Sequence, residues 1–163
     1  MKILYFIRHA KSSWDDVSLD DHDRPLNKRG QHDGPVMARR LLGINVAPDG
    51  LLSSTAKRAR QTASYFKDVL SVEDAIYLKK LYHAWPPAIE AQIRNLPEEW
   101  ETVLVFGHNP GYTDLANQLQ NDLYIGNVPT CGIIVAGSDV TEWKDFTLAD
   151  AERIAYLYPK QTE

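Results

Sequence analysis

The chain contains very little cysteine and no long apolar run. Cys131 is the only cysteine among its 163 residues, which excludes an intramolecular disulfide and a metal site built from several thiolates. No apolar stretch approaches the roughly 20 residues that a membrane span needs. Only five apolar residues separate Lys2 from Arg8, too few for a signal sequence. We therefore expect a cytoplasmic protein that does not enter a membrane.

An excess of positive charge is also missing. The net charge of −4 at pH 7 argues against a general nucleic-acid surface or an anionic membrane as the partner. Hydrophobic residues make up 44% of the chain and charged residues 25%, which is typical of globular proteins and argues against long disordered stretches. The length predicts one domain over residues 1–163 with a full hydrophobic core.

Predicted strands and helices alternate along the sequence. We predict strands at residues 1–7, 51–52, 75–78, 102–106, 132–136 and 153–158. We predict helices from an N-cap at Asn27 to Gly43, from capping hydroxyls at Ser53, Ser54 and Thr55 through Arg58 to about Leu70, at 87–95 and at 111–119. This alternation indicates an α/β fold, a three-layer sandwich in which helices cover both faces of a mostly parallel sheet.

Basic side chains follow three of these predicted strands. Arg8 and His9 come directly after the first strand, and His108 follows the strand at 102–106. Arg58 lies in the first turn of the helix after the second strand. Ligands bind at the carboxyl ends of strands in open α/β sheets, and a helix N-terminus with a guanidinium suits an anion. The sequence therefore predicts a phosphate pocket surrounded by these four residues.

The segments that carry these residues also resemble a known family. RHAKSSW, DRPLNKRG, SSTAKRARQTA and GHNPG occur in the order and at about the spacing found in the histidine phosphatase superfamily, the phosphoglycerate-mutase-like group. The motifs cover residues 1 to about 111. Within the group, the short chain and the RHAKSSW and LYHAWP segments look most like the phosphohistidine phosphatases of the SixA type. The resemblance implies a phosphoglycerate-mutase-like fold.

The resemblance also implies roles for individual residues. His9 would be the nucleophile of an RHG-type motif, here RHA, and Arg8, Arg58 and His108 would complete the phosphate pocket. Ser12 falls where the family often has a threonine near the phosphate. The implied activity is hydrolysis of phosphohistidine on a protein, or of an activated phosphomonoester, through a covalent phosphohistidine intermediate and without a metal or cofactor.

The mechanism also follows from the chemistry of these side chains. A neutral imidazole with one nitrogen held by a backbone carbonyl can attack phosphorus with the other, and water then hydrolyses the product. We expect Arg8, Arg58 and a protonated His108 to neutralise the charge on the phosphoryl oxygens.

One position departs from the family pattern. Many members carry a glutamate or another acid after the third strand to protonate the leaving oxygen, whereas this chain has His83 there. His83 is either a catalytic residue or a loop histidine that packs beside Trp85. Without an acid, phosphohistidine or an aryl phosphate is a better substrate than an alkyl phosphate.

Three other functions fit parts of the sequence. His9, Lys11 and Asp16 match the HxKxxxxD pattern of the phospholipase D superfamily. A non-catalytic phosphate-binding module would use the same arginines to hold a phosphorylated protein or small molecule. A metal hydrolase would use His9 and His108, although no carboxylate stands at ligand spacing near either.

The remaining conspicuous residues are expected to be structural. Residues 14–24 contain five aspartates and indicate a solvated surface lid. We expect solvated charges at Lys11 and Arg24 and surface histidines at His22 and His32. We expect buried packing residues at Cys131, Trp100 and Trp143.

Overall fold

A six-stranded sheet lies at the centre of residues 1–160, the part of the chain that the computed structural model describes. Its strands are β1 (Lys2–Arg8), β2 (Gly50–Ser54), β3 (Ala75–Leu78), β4 (Thr102–Gly107), β5 (Ile133–Ser138) and β6 (Glu152–Leu157). Their order is β3-β2-β4-β1-β5-β6. The first four in this order pair in parallel, and β5 runs antiparallel to both β1 and β6. The expected mostly parallel sheet is confirmed, with β5 as its one reversed strand within the described residues.

Helices cover both faces of the sheet. They are α1 (Lys28–Gly43), α2 (Lys57–Val69), α3 (Pro86–Ile93) and α4 (Gly111–Gln118). The buried side chains of α1 and α2 pack into one hydrophobic core, and those of α3 and α4 pack into a second core on the opposite face. The three-layer arrangement is therefore confirmed. Within residues 1–160, no helix combines the length and the apolarity that crossing a bilayer requires.

The two cores follow from the alternation of side chains along the strands. In β1, Leu4 and Phe6 enter one core while Ile7 enters the other, as a period of two residues requires. Phe6 packs edge-on against Tyr112 of α4, with ring centroids 5.8 Å apart. Each such side chain contributes about 1.5–3 kcal/mol by burial, so the central strands provide a rigid support for the loops at their ends.

The start of α1 packs directly onto the loop that follows β1. Asn27 caps the helix as predicted, its side chain accepting a hydrogen bond from the Gly30 N–H at 2.9 Å. A Cβ added at Gly30 would lie 2.2 Å from the carbonyl oxygen of Lys11. Only glycine therefore lets the helix approach the segment that immediately follows Arg8 and His9.

The start of α2 differs from the prediction. Its N-cap is Ala56, which offers no side-chain oxygen, so capping by the preceding hydroxyls is wrong. The Ser54 hydroxyl instead accepts a hydrogen bond from the Ala56 N–H at 3.1 Å and also contacts His108. The sequence pattern alone did not distinguish these two uses of a serine at a strand end.

Candidate active site

The register of the parallel strands brings the two predicted site histidines together. Arg8 pairs with Gly107 across β1 and β4, and the His9 N–H donates to the Gly107 carbonyl at 3.1 Å. His9 and His108 therefore leave neighbouring strand ends side by side. Their ring centroids are 5.3 Å apart, with the planes tilted by 51°, and both residues are buried.

The His9 ring has the orientation that the nucleophile prediction requires. Nδ1 lies 2.7 Å from the Ala10 carbonyl oxygen. A carbonyl can only accept a hydrogen bond, so Nδ1 carries the proton and Nε2 keeps the lone pair. The expected fixing of one ring nitrogen by backbone is present, and the other nitrogen is the one that can attack phosphorus.

Three buried nitrogens of the predicted site residues have no hydrogen-bond partner. They are Arg8 Nε, Arg58 Nε and His108 Nδ1, and no other buried side-chain nitrogen or oxygen in residues 1–160 lacks a partner. Buried polar groups are nearly always paired, because an unpaired one costs about 1–3 kcal/mol. Three such groups from three strand ends indicate a site that is shaped for an oxygen-rich ligand.

Burial keeps both site imidazoles neutral. Burial and, after it, the nearby Arg58 guanidinium together lower the pKa of His9 to about 3 and that of His108 to about 2. The expectation that His108 is protonated when it faces a phosphoryl group stays a prediction. A bound dianion would favour the charged form, because an opposite charge in contact raises the pKa of a histidine.

An aspartate that the sequence did not single out lies at the edge of this pocket. Asp21 accepts hydrogen bonds from Arg58 through both its carbonyl and its carboxylate, at 2.6 and 2.9 Å. Its carboxylate also accepts from Arg24, at 3.0 and 3.1 Å, and from the Tyr82 hydroxyl. Partial burial tends to raise the pKa of Asp21, but the Tyr82 hydroxyl and the Arg58 guanidinium outweigh it and hold that pKa well below its usual range.

Two predictions about the aspartate-rich segment are thereby corrected. Residues 14–24 are not wholly a solvated lid, because Asp21 binds into the pocket wall. Arg24 is not a solvated charge, because it is buried, donates to the Ser12 hydroxyl at 2.8 Å and lies 3.5 Å over the Trp14 ring. The local sequence is mostly polar and acidic, so only the path by which the chain returns past α2 could have revealed these contacts.

His83 joins the same cluster. Its Nε2 lies 3.1 Å from Arg58 Nη2 and 3.4 Å from the Asp21 carboxylate, and its ring stacks on Tyr82. The contact with Arg58 is the shorter of the two and an arginine nitrogen only donates, so we assign His83 Nε2 as an acceptor without a proton. Burial lowers the pKa of His83, although Asp21 opposes that shift. Trp85 is exposed.

Ser12 lies one step further from the histidines. It is buried, and its hydroxyl oxygen accepts from Arg24. A hydroxyl that accepts one hydrogen bond keeps its own proton to donate. The assignment of Ser12 to the phosphate stays a prediction, and Arg24 is the neighbour that fixes the position of its oxygen.

The structural expectations for four other residues are confirmed, and the expectation for His22 is not. Cys131, Trp100 and Trp143 are buried and His32 is exposed. His22 is not simply a surface residue, because its Nε2 lies 2.9 Å from the Thr55 hydroxyl and its ring contacts Tyr82 edge-on.

The rival sites predicted from sequence are not assembled. Asp16 of the HxKxxxxD pattern is exposed and binds Ser18, at 3.0 Å through the backbone N–H and 2.5 Å through the hydroxyl. In the described part of the chain, no three histidine, cysteine, aspartate or glutamate residues are arranged to hold a metal ion. His9 and His108 therefore lack the third ligand that a metal hydrolase needs.

Comparison with known proteins gives matches to the sequence and to the fold. The family described as the histidine phosphatase superfamily (branch 1) matches residues 4–83. An uncharacterised protein of Mycobacterium leprae (strain TN) is 32% identical over 165 residues, covering 94% of this chain and 100% of the relative.

Solved structures match over nearly the whole chain. A protein of Agrobacterium tumefaciens that is provisionally assigned as the phosphohistidine phosphatase SixA is 28% identical with a TM-score of 0.81, covering 97% of this chain and 98% of that one. A similarly assigned protein of Nakamurella multipartitia is 26% identical with a TM-score of 0.80, covering 98% of this chain and 97% of that one. The expected phosphoglycerate-mutase-like fold is confirmed by these matches.

Proposed function

Because this chain belongs to the histidine phosphatase superfamily and is similar to its SixA-type members, we propose that it is a phosphatase whose nucleophile is His9. One observation carries the assignment of the site. Three unpartnered nitrogens, Arg8 Nε, Arg58 Nε and His108 Nδ1, lie buried beside a histidine whose Nε2 is free to attack. A phosphoryl group offers three oxygens to such donors.

The reaction proceeds in two displacements. The lone pair of His9 Nε2 forms a bond to phosphorus while the bond to the leaving group breaks, and the leaving group departs with that electron pair. Water then attacks the phosphohistidine, the P–N bond breaks, and its electrons return to Nε2 as inorganic phosphate is released with the proton of the water. The buried donors stabilise the charge on the non-bridging oxygens in both steps.

The surroundings of the pocket favour a substrate with a good leaving group. Asp21 stays ionised because its pKa is low, and His83 Nε2 accepts a hydrogen bond from Arg58, so neither group offers a proton there. The imidazole of a phosphohistidine or a phenolate departs without strong acid assistance, whereas an alkoxide does not. We infer that phosphohistidine on a protein is the preferred substrate, with a small activated phosphomonoester second. A cytoplasmic location and the absence of nucleic-acid or membrane partners belong to the same proposal.

Trapping the intermediate tests this function directly. Wild-type protein is mixed with substrate labelled on the phosphoryl group, either a phosphohistidine protein or an aryl phosphate. It is then quenched in alkali, where phosphohistidine survives, and the label is mapped. We expect label on His9 and at least about a 10³-fold loss of kcat in His9→Ala. His32→Ala is the matched control because His32 is an exposed histidine on α1.

Each alternative outcome has a definite meaning. Full turnover by His9→Ala would overturn the assignment of the nucleophile. If the wild type bound inorganic phosphate at the pocket but hydrolysed neither substrate, the site would be a phosphate-binding module and the phosphatase proposal would fail.

A further inference from the structure

We propose that Asp21 is a positioning residue for the phosphatase reaction and that it holds Arg58 with the Nε–H of its guanidinium directed to the phosphate. The inference rests on the proposed function, and it assigns to the aspartate-rich segment a role in the chemistry. Asp21 does not touch the phosphoryl group in this scheme and acts only through Arg58.

The hydrogen bonds of Arg58 carry the first step of the argument. Its Nη1 donates to the Asp21 carbonyl at 2.6 Å, and its Nη2 donates to the Asp21 carboxylate at 2.9 Å. Nε alone is left without a partner. Both ends of the guanidinium fork are therefore engaged by one residue, which fixes the plane of the group and leaves Nε for the ligand.

Electrostatics explain why such an anchor is needed. Arg8 and Arg58 must approach the same anion. Burial lowers the pKa of Arg8, and repulsion by the Arg58 guanidinium lowers it as well. A carboxylate bound to Arg58 offsets that repulsion and keeps the two cations close before the substrate arrives. The side chains of the pocket then need no rearrangement when the substrate binds.

Asp21 is itself held from several sides. Its carboxylate accepts from the Tyr82 hydroxyl and from two nitrogens of Arg24, which also donates to the Ser12 hydroxyl and the Ser13 carbonyl. The loop after β1 and the loop after β3 thus meet at one carboxylate. This connection makes Asp21 a fixed support for Arg58 and not a mobile counter-ion.

The proposal gives a kinetic signature that a purely structural role lacks. A negative charge beside the pocket repels a phosphate dianion, so its removal should leave phosphate affinity unchanged or increase it. The same removal also frees the Arg58 side chain to move away from the position in which it stabilises the transition state. In Asp21→Asn we therefore expect kcat to fall by about 10- to 100-fold, while KM and the inhibition constant of inorganic phosphate stay equal or decrease.

The experiment compares Asp21→Asn with Asp20→Asn and with Tyr82→Phe, using an aryl phosphate as substrate and inorganic phosphate as inhibitor. Asp20 is an exposed neighbour on the same segment and serves as the matched control. Tyr82→Phe removes one donor to the carboxylate without altering Asp21 or Arg58, and it should lower kcat by a smaller factor. It keeps the proposal testable if the melting temperature shows that Asp21→Asn does not fold.

The Arg58 Nε–H signal in nitrogen-15 NMR, assigned with Arg58→Lys, gives a readout that needs no turnover. It should become protected on addition of inorganic phosphate in the wild type and in Asp20→Asn, but not in Asp21→Asn. Equal kcat in Asp21→Asn and Asp20→Asn, or a higher KM at unchanged kcat, overturns the inference while leaving the phosphatase intact. An inactive wild type would refute the proposed function, and the NMR result would still decide how Arg58 is held.

Discussion

The Ser54 hydroxyl oxygen lies 2.8 Å from His108 Nε2, so the end of β2 fixes one ring nitrogen of the histidine that follows β4. The same oxygen accepts the Ala56 N–H, which leaves its own proton free for Nε2. In that arrangement the single ring proton of the neutral imidazole is on Nδ1, the nitrogen that has no hydrogen-bond partner in the protein. The serine therefore selects the tautomer in which His108 can donate to a phosphoryl oxygen.

Removing the Ser54 hydroxyl should reduce the rate while the other side chains of the pocket stay in place. We expect Ser54→Ala to lower kcat/KM by about 10-fold or more, since loss of a single donor to a developing oxyanion costs in that range or above. Ser54→Thr keeps the hydroxyl and should retain most of the activity. The matched control is Ser53→Ala, a buried neighbour whose hydroxyl donates to a backbone carbonyl. Equal rates in the two alanine variants would contradict the tautomer assignment, which imidazole nitrogen-15 shifts measure directly.

The two neutral site histidines make the folded state sensitive to acid. Burial lowers their pKa from 6.5 to about 3 in His9 and about 2 in His108. Below pH 6.5 the unfolded chain therefore binds protons that the folded chain does not. The free energy of unfolding is highest above pH 6.5 and falls as the pH drops toward 3, by up to about 1.4 kcal/mol per pH unit for each histidine.

Urea unfolding between pH 7 and pH 5 measures this dependence. Replacing His108 by Asn should reduce the dependence of the free energy of unfolding on pH. His32→Asn should not, because His32 is exposed on α1. Added inorganic phosphate should also reduce that dependence, since a bound dianion stabilises the protonated imidazole. A slope that is unaffected by His108→Asn would show that this ring is already charged in the folded protein.

The value of kcat/KM should depend more on the basicity of the leaving group than on the shape of the substrate. Asp21 is ionised and His83 Nε2 is an acceptor, so kcat/KM should fall steeply across a series from aryl to alkyl phosphates as the leaving group becomes more basic. His83→Ala should leave the aryl rates within about 3-fold of wild type. Equal rates on an aryl and a sugar phosphate, with only the sugar reaction lost in His83→Ala, would identify His83 as the proton donor.

The sequence predicted the parts of this site that depend on local pattern. Arg8, His9 and His108 directly follow apolar strands, and a parallel sheet necessarily gathers such positions at one edge. The reversal of β5 was not predicted, because the apolar pattern of a buried strand is the same in either direction.

Contacts that depend on how a loop returns to the sheet were not predictable. Asp21 and Arg24 stand in a polar segment whose composition is that of a solvated loop, and their burial depends on Tyr82 and Arg58, which lie far along the chain. The low pKa of His108 was not predictable for the same physical reason. Its pKa is set by burial, and burial at a strand end is a property of the assembled fold.

Two glycines of α1 provide a matched test of how tightly the helix supports the loop after β1. A methyl group at Gly30 would lie 2.2 Å from the Lys11 carbonyl oxygen, whereas at Gly43 it would meet nothing within 4 Å. We expect Gly30→Ala to destabilise the protein by about 1–3 kcal/mol, because backbone must move to relieve the overlap. Gly43→Ala should instead be neutral or stabilise it by up to about 1 kcal/mol, since alanine reduces the freedom of the unfolded chain.

The same pair of variants should separate in activity as well as in stability. Lys11 is two residues beyond His9, so a displacement of its carbonyl shifts the segment that includes the Ala10 oxygen bound to His9 Nδ1. Gly30→Ala should therefore lower kcat/KM at temperatures where it is fully folded, and Gly43→Ala should not. Thermal unfolding and aryl phosphate assays on both variants check this. If Gly30→Ala were as stable and as active as Gly43→Ala, the first turn of α1 would be free to move away from the pocket, and the rigid support inferred for His9 would be wrong.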